Sequence, residues 1–160
     1  MLPLQIISGG QTGVDRAALD FALLHKIKCG GFCPRGRLAE DGIIASKYPL
    51  QESPTGFYQE RTRLNITYSD ATLILISEIL FGKGSLYTRN TCRQLKKEYL
   101  VIDLTLNSGD NIKICREWLS NHQIRILNIA GNRESTTPGI YRLAASFLSD
   151  LFVTQTIVKS

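Results

Sequence analysis

Two glycine-rich turns hold the residues of this 160-residue chain that are best suited to bind an anion. The candidate binding residues of the first turn are Gly9, Gly10, Gln11, Thr12, Gly13 and Arg16. Glycines let a ligand approach the backbone, and the N–H groups that open the next helix attract negative charge. A tight turn between a strand and a helix accounts for one or two glycines but poorly for this set, so we interpret the turn as a binding segment.

The second turn places glycine, hydroxyl and cationic side chains in front of another predicted helix. Its candidate binding residues are Lys83, Gly84, Ser85, Thr88 and Arg89. Ser85 also has an alternative role as a simple N-cap, because serine is a preferred residue at that position. Two such turns after two strands of one sheet are more informative than either alone, and together they predict a site for an anionic, phosphorylated ligand.

A polar loop after the last predicted strand is a third candidate wall. Its candidate binding residues are Gly131, Arg133, Glu134 and Ser135. The alternative is a capped loop in which Arg133 and Glu134 only face water. This wall is the weakest of the three predictions, because its strand would lie far from the point where the strand order reverses.

No motif in the sequence predicts catalysis or a metal centre. The chain has neither a G-x-S-x-G elbow nor an H-E-x-x-H helix, and its four cysteines include no C-x-x-C pair. Glu40, Asp41 and Glu134 could act as an acid or a base, but their spacing selects no pair. Asp15 follows the first turn, and we expect the helix N-terminus there to keep its carboxylate charged and weakly basic. We therefore assign no catalytic residue and no metal ligand.

Alternating apolar and amphipathic segments predict an α/β fold. Buried strands are predicted over residues 4–8, 30–33, 71–76, 99–104 and 125–130. Helices are predicted over residues 12–26, 58–65, 86–98, 110–121 and 138–152. This alternation predicts a doubly wound, mostly parallel five-stranded sheet with helices on both faces.

The order of the strands decides whether the two turns meet. In the order 2-1-3-4-5, the first and third predicted strands flank the point where the order reverses, and ligands bind there in such folds. Both glycine-rich turns would then face one crevice. Residues 34–55 interrupt the alternation with a long segment rich in Pro and Gly, which is typical of a functional or a disordered loop. We expect one domain over residues 1–152 and a tail over residues 153–160.

The composition favours a soluble protein with a small anionic ligand. The chain is 43% hydrophobic and 21% charged, and its formal net charge is +5. No apolar run reaches the roughly 18 residues of a membrane span and no signal-peptide pattern opens the chain, so we expect a cytoplasmic protein with reduced cysteines. The excess of basic over acidic residues suits anionic partners, but the chain has no long Lys/Arg block. A small molecule is therefore favoured over nucleic acid.

Several segments together resemble the molybdenum cofactor carrier family. The string Ser-Gly-Gly-Gln-Thr-Gly-Val-Asp-Arg opens the first of them, at residues 8–20. The others are residues 31–37, 39–44 and 48–50, the pattern Tyr58-x-x-Arg61-Thr62-x-x-Asn65, and residues 69–74, 128–131 and 133–135. They occur in the family's order and extend over nearly the whole chain, which makes the resemblance more specific than any one glycine motif.

The resemblance implies a fold and a function. The fold is a Rossmann-like, three-layer α/β/α domain related to lysine-decarboxylase-like and nucleotide-sensing proteins. The function is to bind, protect and deliver molybdenum cofactor without catalysis. This cofactor, molybdopterin carrying oxo-molybdenum, is an anionic, phosphorylated pterin, and molybdoenzymes and cofactor-synthesis proteins are the implied acceptors and donors. A domain this small leaves one side of its site open, so we also expect a homo-oligomer, a dimer or a tetramer, that closes it.

Two positions depart from the pattern of that family. Its Gly-Gly-Thr-x-x-Thr turn is Lys83-Gly84-Ser85-x-x-Thr88 in this chain, which keeps the hydroxyl groups and adds a positive charge. Asn132 stands where the family has proline, and the loss of proline's restraint predicts a less rigid loop.

Two other functions stay open at this point. A phosphoribohydrolase-like enzyme acting on nucleotide monophosphates would need a carboxylate beside the glycosidic bond, and only Asp15 or Glu134 is suitably placed for it. A nucleotide-derivative-sensing module would require a fused effector domain, which the sequence does not contain.

Overall fold

The computed structural model describes residues 2–77 and 81–153 and has a five-stranded parallel sheet at its centre. In chain order the elements are β1 (Gln5–Ile7), α1 (Val14–Leu24), β2 (Lys28–Gly30), β3 (Phe32–Cys33), β4 (Leu38–Ala39), β5 (Gly42–Ile43), β6 (Gln51–Glu52), α2 (Tyr58–Thr67), β7 (Ala71–Ile76), α3 (Lys83–Gln94), β8 (Glu98–Asp103), α4 (Ser108–Asn121), β9 (Ile126–Gly131) and α5 (Ile140–Phe152). The three-layer α/β architecture predicted from the sequence is confirmed.

The strand order of the central sheet is β2-β1-β9-β7-β8. Counted along the sheet strands alone, this is 2-1-5-3-4, so the order 2-1-3-4-5 is wrong. β9 pairs with β1 on one side and with β7 on the other. The strand order therefore reverses at β9, and the prediction that this strand lies far from the reversal point is wrong as well. Local apolar patterns cannot reveal this order, because it depends on which distant strands pair.

Helices cover both faces of the sheet and bury its central strands. α1, α4 and α5 pack together on one face, and α2 and α3 pack together on the other. Every residue of β7 is buried, as expected for a parallel strand with helices above and below it. The apolar stripe predicted for α5 is confirmed, since Ile140, Ala144, Phe147 and Leu148 are all buried.

Residues 34–55 form a small folded lobe against α1. β3 pairs with β6 in parallel, and β4 pairs with β5 as a short hairpin. Leu19 of α1 packs with buried side chains of this lobe, among them Ile44, Tyr48 and Leu50. The guanidinium of Arg37 donates hydrogen bonds to four backbone carbonyls of the lobe. The segment is thus an ordered wall that stands beside the first glycine-rich turn.

Some predicted boundaries differ from the observed ones. The segment 30–33, predicted as one strand, is divided between β2 and β3, because Gly31 turns the chain with φ of 125°. α3 begins at Lys83, earlier than predicted, so part of the second glycine-rich turn is helical. Residues 154–160 of the predicted tail lie outside the described residues. Within the described ranges, no helix combines the length and the apolar character that crossing a membrane requires.

Candidate functional site

β1, β9 and β7 end at one edge of the sheet, and a cleft of about 830 Å³ opens beyond their carboxyl ends. The segments that follow these three strands form three of its walls, and α2 forms the fourth. Both glycine-rich turns therefore face one crevice, although not as neighbours. The loop after β9 lies between them.

The turn after β1 contributes Gly9 and Gln11 to the cleft wall. Gln11 is buried, and its Oε1 accepts hydrogen bonds from the backbone N–H groups of Thr12 at 3.0 Å and Glu40 at 2.9 Å. Two backbone donors on this atom identify it as the oxygen of the amide. The Nε2 of Gln11 therefore faces away from the backbone of the turn.

A buried ion pair crosses from the start of α1 to α2. Nη1 of Arg61 donates a hydrogen bond to Oδ2 of Asp15 at 2.9 Å, and both side chains line the cleft. The side chains are 11% and 6% exposed. The guanidinium lies over Gly9, where a Cβ would overlap it. The missing side chain of Gly9 is what lets Arg61 reach Asp15.

The start of α3 contributes Lys83, Gly84, Ser85 and Thr88 to the cleft. The two hydroxyl groups are buried and already donate within the protein. Ser85 Oγ donates to Oδ1 of Asn132 at 2.7 Å, and Thr88 Oγ1 donates to the backbone oxygen of Gly84 at 2.9 Å. Each hydroxyl oxygen can thus accept a hydrogen bond from a ligand, while the hydroxyl proton stays in its hydrogen bond to a protein oxygen.

Arg89 belongs to the same predicted set but does not line the cleft. Its guanidinium carbon lies 4.7 Å from the centre of the Phe81 ring, and it is this ring that forms part of the cleft wall. The structure therefore places Arg89 behind an aromatic side chain rather than in the site.

The loop after β9 is the middle wall of the cleft. Gly131, Arg133 and Ser135 all line it, although the sequence pattern predicts that their strand lies far from the reversal point. Asn132 joins this wall to α3, because its Oδ1 accepts hydrogen bonds from Ser85 and from the backbone N–H of Gly82 at 3.1 Å. Asn132 is 2% exposed. Side-chain hydrogen bonds of Asn132 thus hold the loop at the position where the family has proline.

Several other predicted residues lie outside the main cleft. Thr12, Gly13, Arg16 and Glu134 line a second depression of about 560 Å³. Gly10 is buried beneath the lobe of residues 34–55, where a Cβ would lie 2.6 Å from Leu50.

Two charged residues of this outer group are engaged in structural contacts. Arg16 pairs with both carboxylate oxygens of Asp41, at 3.0 and 3.1 Å, and also donates to the backbone oxygen of Gly10. Glu134 accepts hydrogen bonds from the backbone N–H groups of Gly139 at 2.6 Å and Tyr141 at 3.0 Å. It therefore caps the start of α5, and its carboxylate faces that helix.

Glu40 joins the lobe of residues 34–55 to two walls of the site. Its carboxylate accepts hydrogen bonds from Thr12 Oγ1 and from both the N–H and the hydroxyl of Ser135, and Nη1 of Arg133 lies 3.7 Å away. Partial burial raises the pKa of this carboxyl, but the hydrogen bonds from Ser135 and Thr12 outweigh it and hold the pKa below the ordinary value. The charged form of Glu40 thus links the lobe of residues 34–55 to the first turn and to the loop after β9.

The contribution of α2 to the site is the main feature that the predicted residue set lacks. Tyr58, Arg61, Thr62 and Asn65 all line the cleft. Their spacing of three, four and seven residues places them on one face of a helix. A polar stripe at helical spacing, within a pattern already noted in the resemblance, is the signal that could have identified them.

The described lining of the cleft contains three cationic side chains and three aromatic rings. Lys83, Arg61 and Arg133 are its cations, and Asp15 is the one carboxylate among the described lining residues. The guanidinium carbons of Arg61 and Arg133 lie 5.5 and 5.4 Å from the centre of the Tyr58 ring. Such a lining suits an anion attached to a planar ring.

The environment of Asp15 differs from the sequence expectation. Burial raises its pKa above the ordinary value, although Arg61 and the backbone of Gln11 act in the opposite direction. The expectation that the helix N-terminus makes this carboxylate unusually acidic is therefore wrong. Desolvation of the carboxylate, which the sequence does not show, outweighs the helix N-terminus.

The described lining of the cleft offers few groups suited to acid or base chemistry. No histidine is found among the described residues that line the cleft, and Asp15 is engaged with Arg61. A general acid or base needs to reach the reacting atoms, and Glu134 faces α5 instead. Among residues 2–77 and 81–153, no cluster of three or more His, Cys, Asp or Glu side chains is arranged to hold a metal ion.

Comparison with known proteins agrees with this geometry. The chain is similar to a solved structure described as "Putative molybdenum carrier protein" from Syntrophus aciditrophicus SB, with 46% sequence identity and a TM-score of 0.90. The match covers 94% of this chain and 95% of the other. None of the curated proteins matches this chain.

A family model places the chain among relatives with a permuted strand order. The model of the circularly permutated YpsA SLOG family matches residues 6–152. A circular permutation changes which strand comes last in the chain while keeping the sheet, so β9, the last strand along the chain, can occupy the centre of the sheet. With a match of this extent, the chain belongs to the circularly permutated YpsA SLOG family.

Proposed function

We propose that this chain is a carrier that binds, protects and delivers molybdenum cofactor. The observation that carries the proposal is the cationic cleft at the carboxyl ends of β1, β9 and β7. A similar protein with 46% identity over nearly the whole chain is described as a molybdenum carrier, which supports this identity for the ligand.

The residues of the cleft fit such a ligand chemically. Molybdenum cofactor is a pyranopterin with a phosphate at one end and a dithiolene-bound oxo-molybdenum group at the other, so it carries negative charge at both ends. Lys83, Arg61 and Arg133 supply positive charge, and the rings of Tyr58 and Tyr87 line the same cleft. A cleft of about 830 Å³ lies in the size range of cofactor sites.

A carrier needs ground-state binding and no lowering of a barrier. The cations and hydrogen-bond donors of the cleft supply that binding. The phosphoribohydrolase alternative loses support, because Glu134 caps α5 and Asp15 is paired with Arg61. We therefore propose that the protein has no catalytic turnover.

The setting in which the carrier works is part of the proposal. We propose that residues 1–152 act as one cytoplasmic domain and that molybdoenzymes or cofactor-synthesis proteins exchange the ligand with it. A second copy of the chain would close the open side of the cleft and shield the cofactor from solvent.

The experiment that tests this function is a transfer assay under anaerobic conditions. Cofactor released from a molybdoenzyme is incubated with the protein, separated by gel filtration and then offered to an apo-molybdoenzyme. We expect the cofactor to co-elute with the protein and to activate the apo-enzyme. Failure to co-elute contradicts binding, and release of free base from nucleotide monophosphates supports the enzyme alternative instead.

A further inference from the structure

Two buried hydrogen-bond donors in the wall of the cleft have no partner among the described residues. They are Nε2 of Gln11 and Nε of Arg61. Gln11 is 5% exposed, and both residues line the cleft. A buried donor without a partner is destabilising, and an acceptor atom from a ligand would remove that cost. The two nitrogens therefore point to a ligand with oxygen acceptors.

The orientation of both side chains is set by other contacts. Thr12 and Glu40 hold Oε1 of Gln11, so Nε2 is the part of the amide left for a ligand. Asp15 holds Nη1 of Arg61. In a planar guanidinium this leaves the edge formed by Nε and Nη2, whose two N–H groups are parallel and match two oxygens of one oxyanion.

The two residues that carry these donors also interact with one carboxylate. The side chain of Asp15 interacts both with Arg61 and with the backbone of Gln11. This contact places the end of Arg61 beside the turn that carries Gln11. An oxygen-rich group bound there would contact both side chains at once.

We propose that Gln11 and the free edge of Arg61 form a subsite for the oxygens of an anionic group, either a phosphate monoester or an oxo-molybdenum group. The proposal rests on the proposed function for the identity of the whole ligand. It places one anionic end of that ligand against α2 and the first turn. The start of α3 is also predicted from the sequence to belong to the site, but Ser85 and Thr88 there already donate their protons within the protein.

Matched substitutions distinguish binding by this subsite from attraction by the overall positive charge of the cleft. Gln11→Glu keeps the Oε1 acceptor and removes the donor, and Gln59→Glu makes the same change elsewhere in the lining. Arg61→Lys keeps the charge but removes the planar edge, and Arg63→Lys makes the same change at an exposed position of α2. Melting temperatures report whether each variant is folded.

The measurement is calorimetric titration of the full chain with inorganic phosphate and, separately, with molybdate. We expect saturable binding of at least one probe, weakened about tenfold or more in Gln11→Glu and Arg61→Lys, as expected for a lost hydrogen bond to a charged group. Gln59→Glu, which adds the same charge elsewhere in the lining, should weaken binding less than Gln11→Glu does, and Arg63→Lys should change the affinity by less than about twofold. Binding of phosphate alone assigns the phosphate end to the subsite, and binding of molybdate alone assigns the metal end.

A second measurement needs only the wild-type protein. In ¹⁵N-edited NMR spectra, saturating probe should shift the side-chain amide signals of Gln11 and the Nε–H signal of Arg61. Absence of binding by both probes at millimolar concentration, or equal weakening in the control variants, overturns the subsite. If Gln11→Glu and Arg61→Lys still bind whole cofactor like wild type, the subsite fails while the carrier function stands. If both lose oxyanion binding but no cofactor binds the wild type, the function fails while the subsite stands.

Discussion

Oδ1 of Asn132 accepts a hydrogen bond from the hydroxyl of Ser85 at 2.7 Å, across a separation of 47 residues in the chain. The same oxygen accepts from the backbone N–H of Gly82, and the amide nitrogen of Asn132 donates to Thr137 Oγ1 at 3.0 Å. One buried side chain thus fixes the start of α3 against the loop after β9. This residue therefore holds two walls of the cleft in a fixed position relative to each other.

Replacing this residue should destabilise the fold. Asn132→Ala leaves Ser85, Gly82 and Thr137 without these hydrogen bonds in a buried region, and the loss should amount to about 2–4 kcal/mol of unfolding free energy. Urea denaturation of the variant measures this. Asn90→Ala, at an exposed position of α3, is the control and should stay within about 0.5 kcal/mol of wild type. An Asn132→Ala variant as stable as the control would contradict the structural role of this side chain.

An added methyl group at Gly9 should displace the guanidinium of Arg61. Gly9→Ala places a Cβ where the guanidinium of Arg61 now lies, so Arg61 must move away from Asp15. Gly84→Ala is the matched control, because nothing lies within 4 Å of a Cβ at that position and alanine favours the helix by roughly 0.5–1 kcal/mol. We expect phosphate affinity to fall in Gly9→Ala and to persist in Gly84→Ala. Equal affinities in the two variants would argue against the position of Arg61.

The parts of the fold that the sequence predicts are those determined by local patterns. The continuous apolar run of β7 and the apolar stripe of α5 predict elements whose burial is confirmed. The turns at Gly9 and Gly84 can be recognised because glycines between a strand and a helix N-terminus are typical of anion-binding turns. These features depend on neighbouring residues alone.

The parts that could not be predicted depend on contacts between distant residues. β9 lies between β1 and β7 because of its pairing with both, and nothing within the segment itself signals this. Arg16 has the residue type and the position of a ligand-binding cation, but Asp41 from the lobe of residues 34–55 pairs with it. Glu134 likewise faces α5 because its carboxylate caps that helix.

A tyrosine clamp on Asp20 should make the protein sensitive to high pH. Tyr48 and Tyr141 donate hydrogen bonds to the two carboxylate oxygens of Asp20, at 2.6 and 2.5 Å. Burial, together with the hydrogen bond to Asp20 and its charge, raises the pKa of Tyr141 to about 12. An unfolded tyrosine has a pKa of about 10, so this contribution to stability is present below about pH 10 and is lost as the pH rises towards the folded value.

The variant Tyr141→Phe tests this pH dependence. It removes one titrating group and one hydrogen bond, so it should be less stable than wild type at about pH 9 and should lose less further stability by about pH 11.5. The free energy of unfolding in urea at the two pH values measures the difference. The interpretation is wrong if both proteins lose the same amount.

Neutralising Asp15 should make the stability of the protein depend on a bound anion. Asp15→Asn leaves the buried Arg61 without its countercharge, which should cost about 3–5 kcal/mol in the absence of ligand. Phosphate would supply the missing charge, so it should raise the melting temperature of this variant more than that of wild type. Asp41→Asn, which breaks the more exposed pair with Arg16, is the control and should leave the phosphate response unchanged. An equal response in all three proteins would contradict the role of Arg61.

Co-purification tests most directly whether this protein carries molybdenum cofactor. The protein is expressed in cells that make the cofactor and purified without oxygen, and mass spectrometry then measures pterin and molybdenum. We predict that both are present and bound to the wild-type protein, and that both are reduced more in Gln11→Glu than in Gln59→Glu. Wild-type protein that is folded and contains neither pterin nor molybdenum would contradict the carrier function.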